Sequence, residues 1–224
     1  VVSRLVASIR EQDDEISDIF AQCGLRRLPE LVRIRLLDPE LRRACAGLSD
    51  ISAPIGEIAA LNLAVRRAFI VENLQTGLAF EDLPGAIVII GAGYGTSFLS
   101  RLEWLSQAEC FYWGDLDTHG FAILSEARSS LTHLESILMD ETTLLSHQNL
   151  WVNEQSQCSA VALPHLSHCE HIVYDRLKQN HWGDSVRLEQ ERIDWNYAWS
   201  AIRSRVLPSA PSLANVPFET SPLG

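Results

Sequence analysis

Short, continuous apolar runs alternate with stretches of helical period along most of the chain. "RAFIVE" (67–72), "GAIVIIGAGYG" (85–95), "ECFYWGDLD" (109–117) and "ESILMDETTLL" (135–145) each open on a run suited to a strand buried on both faces. Between them, "NLQTGLAF" (73–80), "TSFLSRLEWLSQA" (96–108) and "THGFAILSEARSSL" (118–131) read as helices. This rhythm predicts an α/β domain with a parallel sheet of about four strands flanked by helices. Upstream, "RLVASIREQDDEISDIF" (4–20) predicts a helix with an acidic face, and "ELVRIRLLD" (30–38) a strand. "SDISAPIGEIAALNLAV" (49–65) predicts a helix opening near Pro54. Downstream, Ser167 and Glu170 have capping-box spacing at the start of "SHCEHIVYDRLKQNHW", and Trp195 and Trp199 lie four apart on a further helix, a spacing that suits core packing. We therefore divide the chain into a helical and strand lead-in (1–66), a core with a C-terminal helical extension (67–206), and a proline- and serine-rich tail (207–224) expected to be mobile.

Charge sharpens this picture. Residues 1–67 balance ten basic against ten acidic side chains, so the whole net charge of −11 falls on residues 68–224. Such a surface repels phosphate backbones unless a bound cation or a basic segment reverses the local field. Five scattered cysteines fit a reducing compartment, and hence the cytoplasm, better than a disulfide scaffold. No apolar run approaches the roughly 18 residues of a membrane helix, so no membrane partner is expected. The start, "VVSRLVASIR", reads as an internal one.

Candidate chemistry sits where the strands end. In parallel α/β sheets ligands bind at the carboxyl ends of strands, and Glu72 closes the first core strand while Asp115 and Asp117 close the third. Residues i and i+2 of an extended segment face one side, so the two aspartates converge. Converging carboxylates repel unless a hard divalent cation joins them, and Mg²⁺ suits such oxygen ligands while leaving positions for a phosphate substrate. Repulsion in the metal-free state predicts that Asp115→Asn raises the melting temperature.

These residues resemble a family. "FIVEN", the glycine-terminated second strand and "GDLDTHG" are similar to the Toprim domain, a Rossmann-like metal-binding module of topoisomerases, primases and some nucleases. The closest branch contains the topoisomerase VI A subunit. Closer still, "RIRLLDPEL", "GLSDISAPIGEIAAL", "VENLQT", "YWGDLDTHGFAIL", "LMDETTLL" and "RLEQERIDW" resemble, in order, segments of the C-terminal region of JetD, the nuclease subunit of Wadjet anti-plasmid systems. The resemblance spans roughly residues 30–200. It implies a metal-dependent DNA endonuclease in which Glu72, Asp115 and Asp117 are catalytic and hold Mg²⁺ or Mn²⁺, with Glu189 and Glu191 as further metal candidates. It also implies double-stranded plasmid DNA as substrate, an SMC-like Wadjet motor complex as partner, and a homodimer, because double-strand cleavage needs two sites. Topoisomerase VI cleaves with a tyrosine in a separate upstream domain, whereas the Wadjet relatives act as nucleases without evident religation, so the resemblance implies hydrolytic cleavage. Two departures from the broad Toprim pattern are Asn73, in place of the glycine after the glutamate, and Thr118, in place of proline.

Gly93 and Tyr94, in a "GAGYG" turn without the full dinucleotide-binding spacing, are candidates for a backbone contact with a DNA phosphate, and His119 for proton transfer or DNA contact. A non-catalytic DNA- or protein-docking module on a degenerate Toprim scaffold is the alternative from another class. "GDLDTHG" also resembles the aspartyl-phosphate motif of haloacid-dehalogenase phosphatases, but the later lysine that family needs has only Lys178 to fill it, inside an ordinary helix pattern.

Overall fold

The computed structural model describes residues 23–26, 28–91, 95–160 and 162–206. The predicted first helix, the 207–224 tail and the turn holding Gly93 and Tyr94 lie outside them. Among the described residues there are eight strands, β1 (Leu31–Leu36), β2 (Asp50–Pro54), β3 (Arg67–Val71), β4 (Ala86–Ile90), β5 (Glu109–Trp113), β6 (Glu135–Ser136), β7 (Val152–Asn153) and β8 (Val186–Arg187). Seven α-helices accompany them: α1 (Pro39–Ala44), α2 (Ile55–Ala59), α3 (Leu74–Ala79), α4 (Thr118–Ser130), α5 (Glu141–Ser146), α6 (His168–Lys178) and α7 (Trp195–Val206).

Six strands form one sheet in the order β2-β1-β4-β3-β5-β6, and β7 and β8 form a separate antiparallel ribbon. The four strands expected from the core rhythm, β4, β3, β5 and β6, run parallel. All five residues of β4 and the last four of β3 and β5 are buried. Alternate side chains point to opposite faces, so unbroken burial means that both faces are covered. The lead-in supplies β1 and β2, which add antiparallel to the edge at β4. β1 alternates instead, and its outer-face arginines find partners: Arg33 grips Asp50 of β2 through two 2.8 Å bonds, and Arg35 donates to the carbonyls of Gly77, Leu78 and Phe80 at the end of α3. Those carbonyls have no partner within their helix.

Two elements differ from the periodicity reading. The helix expected over 96–108 is a pair of 3-10 turns, Ser97–Arg101 and Glu103–Gln107. Leu99, Leu102, Leu105 and Ala108, all buried, recur every third residue, which is the 3-10 repeat and not the α one. The helix after Pro54 spans only Ile55–Ala59, and the residues before it are β2. The residue preceding a proline is driven toward extended backbone, and cross-strand pairing holds the segment there. The capping box at Ser167 and Glu170 forms as predicted. Trp195 and Trp199 stack at 5.6 Å and both meet Phe80, so they pack α7 onto the core. Among the described residues no helix is long and apolar enough to cross a membrane.

Candidate functional site

Strand register builds the centre of the site. β3 and β5 are parallel neighbours with Val71 opposite Trp113, so the residues that follow, Glu72 and Gly114, emerge side by side. Gly114 makes room there: a Cβ would displace the Glu72 carboxylate from its place and crowd the buried Tyr112 ring. Fully buried Tyr112 donates its hydroxyl to Glu72 Oε1. Beyond Gly114 the chain stays extended because Leu116 is bridged on both sides to Leu188 by backbone bonds of 2.9 and 3.2 Å. As alternation predicts, Asp115 and Asp117 then reach one side, where both meet the guanidinium of Arg187.

The two aspartates are held differently. Asp115 accepts from Arg187 Nη2 at 2.6 Å and from the backbone N–H of Gln190 at 2.9 Å. Asp117 caps α4, accepting from the Gly120 N–H at 2.7 Å, and its other oxygen lies 3.1 Å from Arg187 Nε. That last pair is close enough for charge attraction but is not aligned as a hydrogen bond, and Nε is buried without a partner among the described residues. Gly120 gives α4 room to start, since a Cβ would overlap the carbonyl oxygen of Asp115. Gly120→Ala is therefore expected to cost about 2 kcal/mol or more. Denaturant unfolding measures this, and a variant as stable as wild type would defeat the account of the close approach.

The β7–β8 ribbon delivers two further groups, one of them the arginine that opens the "RLEQERIDW" segment. Arg187 ends β8, and Glu154 follows β7, with its N–H bonded to Ser185 O at 2.7 Å. Glu154 is only 3% exposed and accepts the Thr118 hydroxyl at 2.6 Å. Thr118 in turn accepts the Cys158 N–H at 2.6 Å. A proline at 118 has no hydroxyl with which to hold Glu154, so the departure from the Toprim pattern carries a structural role. The other departure does as well, because Asn73 caps α3 by accepting the Thr76 N–H.

Glu72, Asp115, Asp117, His119, Glu154 and Arg187 line one cavity of about 220 Å³, together with Gly120, Gln155 and Ser156. The structure thus gathers three of the sequence-predicted acids and adds Glu154. His119 stands at the rim, half exposed, with Nε2 2.9 Å from Ser156 O and 3.9 Å from Glu154 Oε1. Glu189 stays outside the lining and touches it only through Arg187, 3.5 Å away, while its second oxygen takes Arg192 Nε at 2.6 Å. Glu191 is exposed and also outside the lining. Residues 190–192 form a 3-10 turn, so Glu189 and Glu191 do not share a side as strand residues would.

Electrostatics follow from this crowding. Burial pushes the Glu72 carboxyl up to about 7; the Tyr112 hydroxyl opposes the shift, and the charges of Asp115 and Asp117 add to it. Asp117 is raised to about 6, again chiefly by burial, against the Gly120 N–H and with repulsion from Glu154 and Asp115. Asp115 has Arg187 as its direct counter-ion. The melting-temperature gain expected of Asp115→Asn therefore moves to Glu72, which is raised chiefly by burial and further by the charges of Asp115 and Asp117.

The donor chemistry, four carboxylates in one small cavity with His119 at its rim, fits a hard divalent cation. Among the described residues no three Asp, Glu, His or Cys side chains are spaced as a formed metal shell. Glu72 is turned to Tyr112, and Arg187 bridges the aspartates. Comparison with curated proteins finds no match. The family model described as Wadjet protein JetD, C-terminal, matches residues 24–202, which include every element from β1 to the body of α7. With four-fifths of its length matched, and with the paired aspartates and the strand-end glutamate meeting in one cavity, the chain belongs to the JetD C-terminal family.

Proposed function

We propose that the chain carries the cleavage site of a Wadjet anti-plasmid system, a cytoplasmic, Mg²⁺- or Mn²⁺-dependent endonuclease that hydrolyses plasmid DNA. The observation that carries this reading is the meeting of Glu72, Asp115, Asp117 and Glu154 around one cavity at the carboxyl ends of parallel β3 and β5. Glu72, Asp115 and Asp117 would hold the ion, and Glu154 lines the same space. When bound, the ion polarises a phosphodiester and offsets the −11 charge that otherwise repels DNA.

The chain's own residues divide the remaining work. Glu72, raised to about 7, can hold or release a proton near neutral pH, and the Tyr112 hydroxyl fixes which of its oxygens faces the cavity. Asp117 is locked by the Gly120 N–H and Asp115 by the Gln190 N–H, so both keep their orientation when the guanidinium moves. His119, at the rim, is placed to meet a DNA phosphate or to pass a proton outward. An SMC-like motor partner and a dimer that supplies a second site complete the proposal.

Nicking of closed circular plasmid in Mg²⁺ by the chain within its complete Wadjet assembly is the test. Asp115→Asn is expected to lower the rate at least about a hundredfold with folding intact. Equal cleavage by both proteins would remove the site assignment, and undiminished DNA retention without cleavage by either would favour a docking module.

A further inference from the structure

Arg187 is held by three carboxylates and fully satisfied by none. Nη2 lies 2.6 Å from Asp115 and 3.5 Å from Glu189, while buried Nε faces Asp117 at 3.1 Å out of line for a hydrogen bond. A desolvated N–H without an acceptor is costly, so one end of the fork is poorly seated. The side chain is one-third exposed, so it can swing into solvent without opening the core. Its departure also leaves the scaffold standing. Leu116 and Leu188 keep their backbone bridge, and Gln190 and Gly120 still donate to the aspartates.

Charge counting gives the direction. One guanidinium faces Asp115, Asp117 and Glu189, with Glu72 and Glu154 lining the same cavity. A doubly charged ion matches that surplus better than a single positive charge. The two cations cannot share the position, because like charges a few ångströms apart repel strongly in a partly dry site. We propose that Arg187 is a positioning residue that occupies the cation position between Asp115 and Asp117 and exchanges with the divalent ion. It keeps the aspartates apart and preset until the ion enters, and is then released toward the cavity mouth, where its planar fork suits a phosphate oxygen pair. The inference rests on the reading of the cavity as a divalent-cation site.

Calorimetric titration of the chain with Mn²⁺ at pH 7.5 separates the two ideas. Arg187→Gln removes the competing charge and is expected to bind Mn²⁺ about tenfold or more tightly than wild type. A residue that merely braced the site would, on removal, weaken binding. Arg187→Lys, whose ammonium meets one carboxylate at a time, is expected to fall between the two. If Arg187→Gln does not fold, the lysine variant decides: tighter binding than wild type supports exchange, and equal or weaker binding overturns it. Wild type binding Mn²⁺ with the glutamine variant no tighter would overturn exchange alone. If neither binds better than Asp115→Asn, the cation site itself falls and the exchange with it.

Discussion

Glu72→Gln is expected to stabilise the metal-free protein at pH 8 while reducing divalent-dependent DNA cleavage at least about a hundredfold. The stability gain follows from linkage. In the unfolded chain the carboxyl titrates at the ordinary value of 4.5, and in the fold at about 7. Between these values the native state holds a proton that the unfolded state has released, so this group's contribution is complete below 4.5 and is lost as pH rises through 7. Glutamine cannot ionise, still accepts from Tyr112, and keeps the volume that Gly114 leaves open. After discounting for partial exposure, the variant should gain on the order of 2 kcal/mol at pH 8 and nothing at pH 4. Denaturant titrations in a chelator at both pH values test this, and parallel pH dependence in the two proteins would contradict the buried, repelled carboxylate. The loss of cleavage accompanying a more stable fold would separate function from folding in one variant.

Glu170→Ala is expected to destabilise the fold by about 3–5 kcal/mol. Glu170 at the start of α6 is buried and accepts Arg128 Nη2 at 2.8 Å, with a second Arg128 bond beside it. It also takes the Ser136 hydroxyl and the Ser167 N–H. Arg128 in turn bonds Leu134 O and His165 O, so this pair ties α4, the segment before β6 and the start of α6 together. Truncation leaves a nearly buried guanidinium without its counter-ion, a larger loss than the pair's net worth. Burial would raise the Glu170 carboxyl, but Arg128, Ser136 and the Ser167 N–H outweigh it and hold it at about 2. The sign is opposite to that of Glu72: this contribution is present above 4.5 and is lost as pH falls through 2. Wild type should therefore lose stability on the acid side through Glu170 and on the alkaline side through Glu72 and Asp117. Glu170→Ala should flatten only the acid limb, and an unchanged acid limb would show that the pair does not act as described.

The same ribbon both closes and completes the acidic cavity. β7 leads into Glu154 and β8 carries Arg187, both in the cavity lining, while Leu188 holds the segment between the aspartates extended. A short element remote in sequence thus sets how the strand-end acids face one another and which cation lies between them.

Local pattern sufficed for the parallel strands, for α4, for α6 with its capping box, and for Glu72, Asp115 and Asp117 at strand ends. Burial on both faces writes itself as unbroken apolar runs, and a strand end is marked by where such a run stops. The 3-10 turns over 97–107 are written in leucines spaced by three, a period that the helical pattern of the same segment masks. Glu154, Arg187 and the Tyr112 hydroxyl could not be found this way. "WVNEQS" and "VRL" carry no spacing that ties them to a strand-end aspartate, and their place depends on pairing between segments more than thirty residues apart. Glu189 and Glu191 show the converse: the resemblance made them metal candidates, and the 3-10 turn over 190–192 leaves both outside the cavity lining. Sequence determines which groups a local segment can present. Whether two charges meet depends on the register and crossing of distant elements, and here that register placed a guanidinium among the acids.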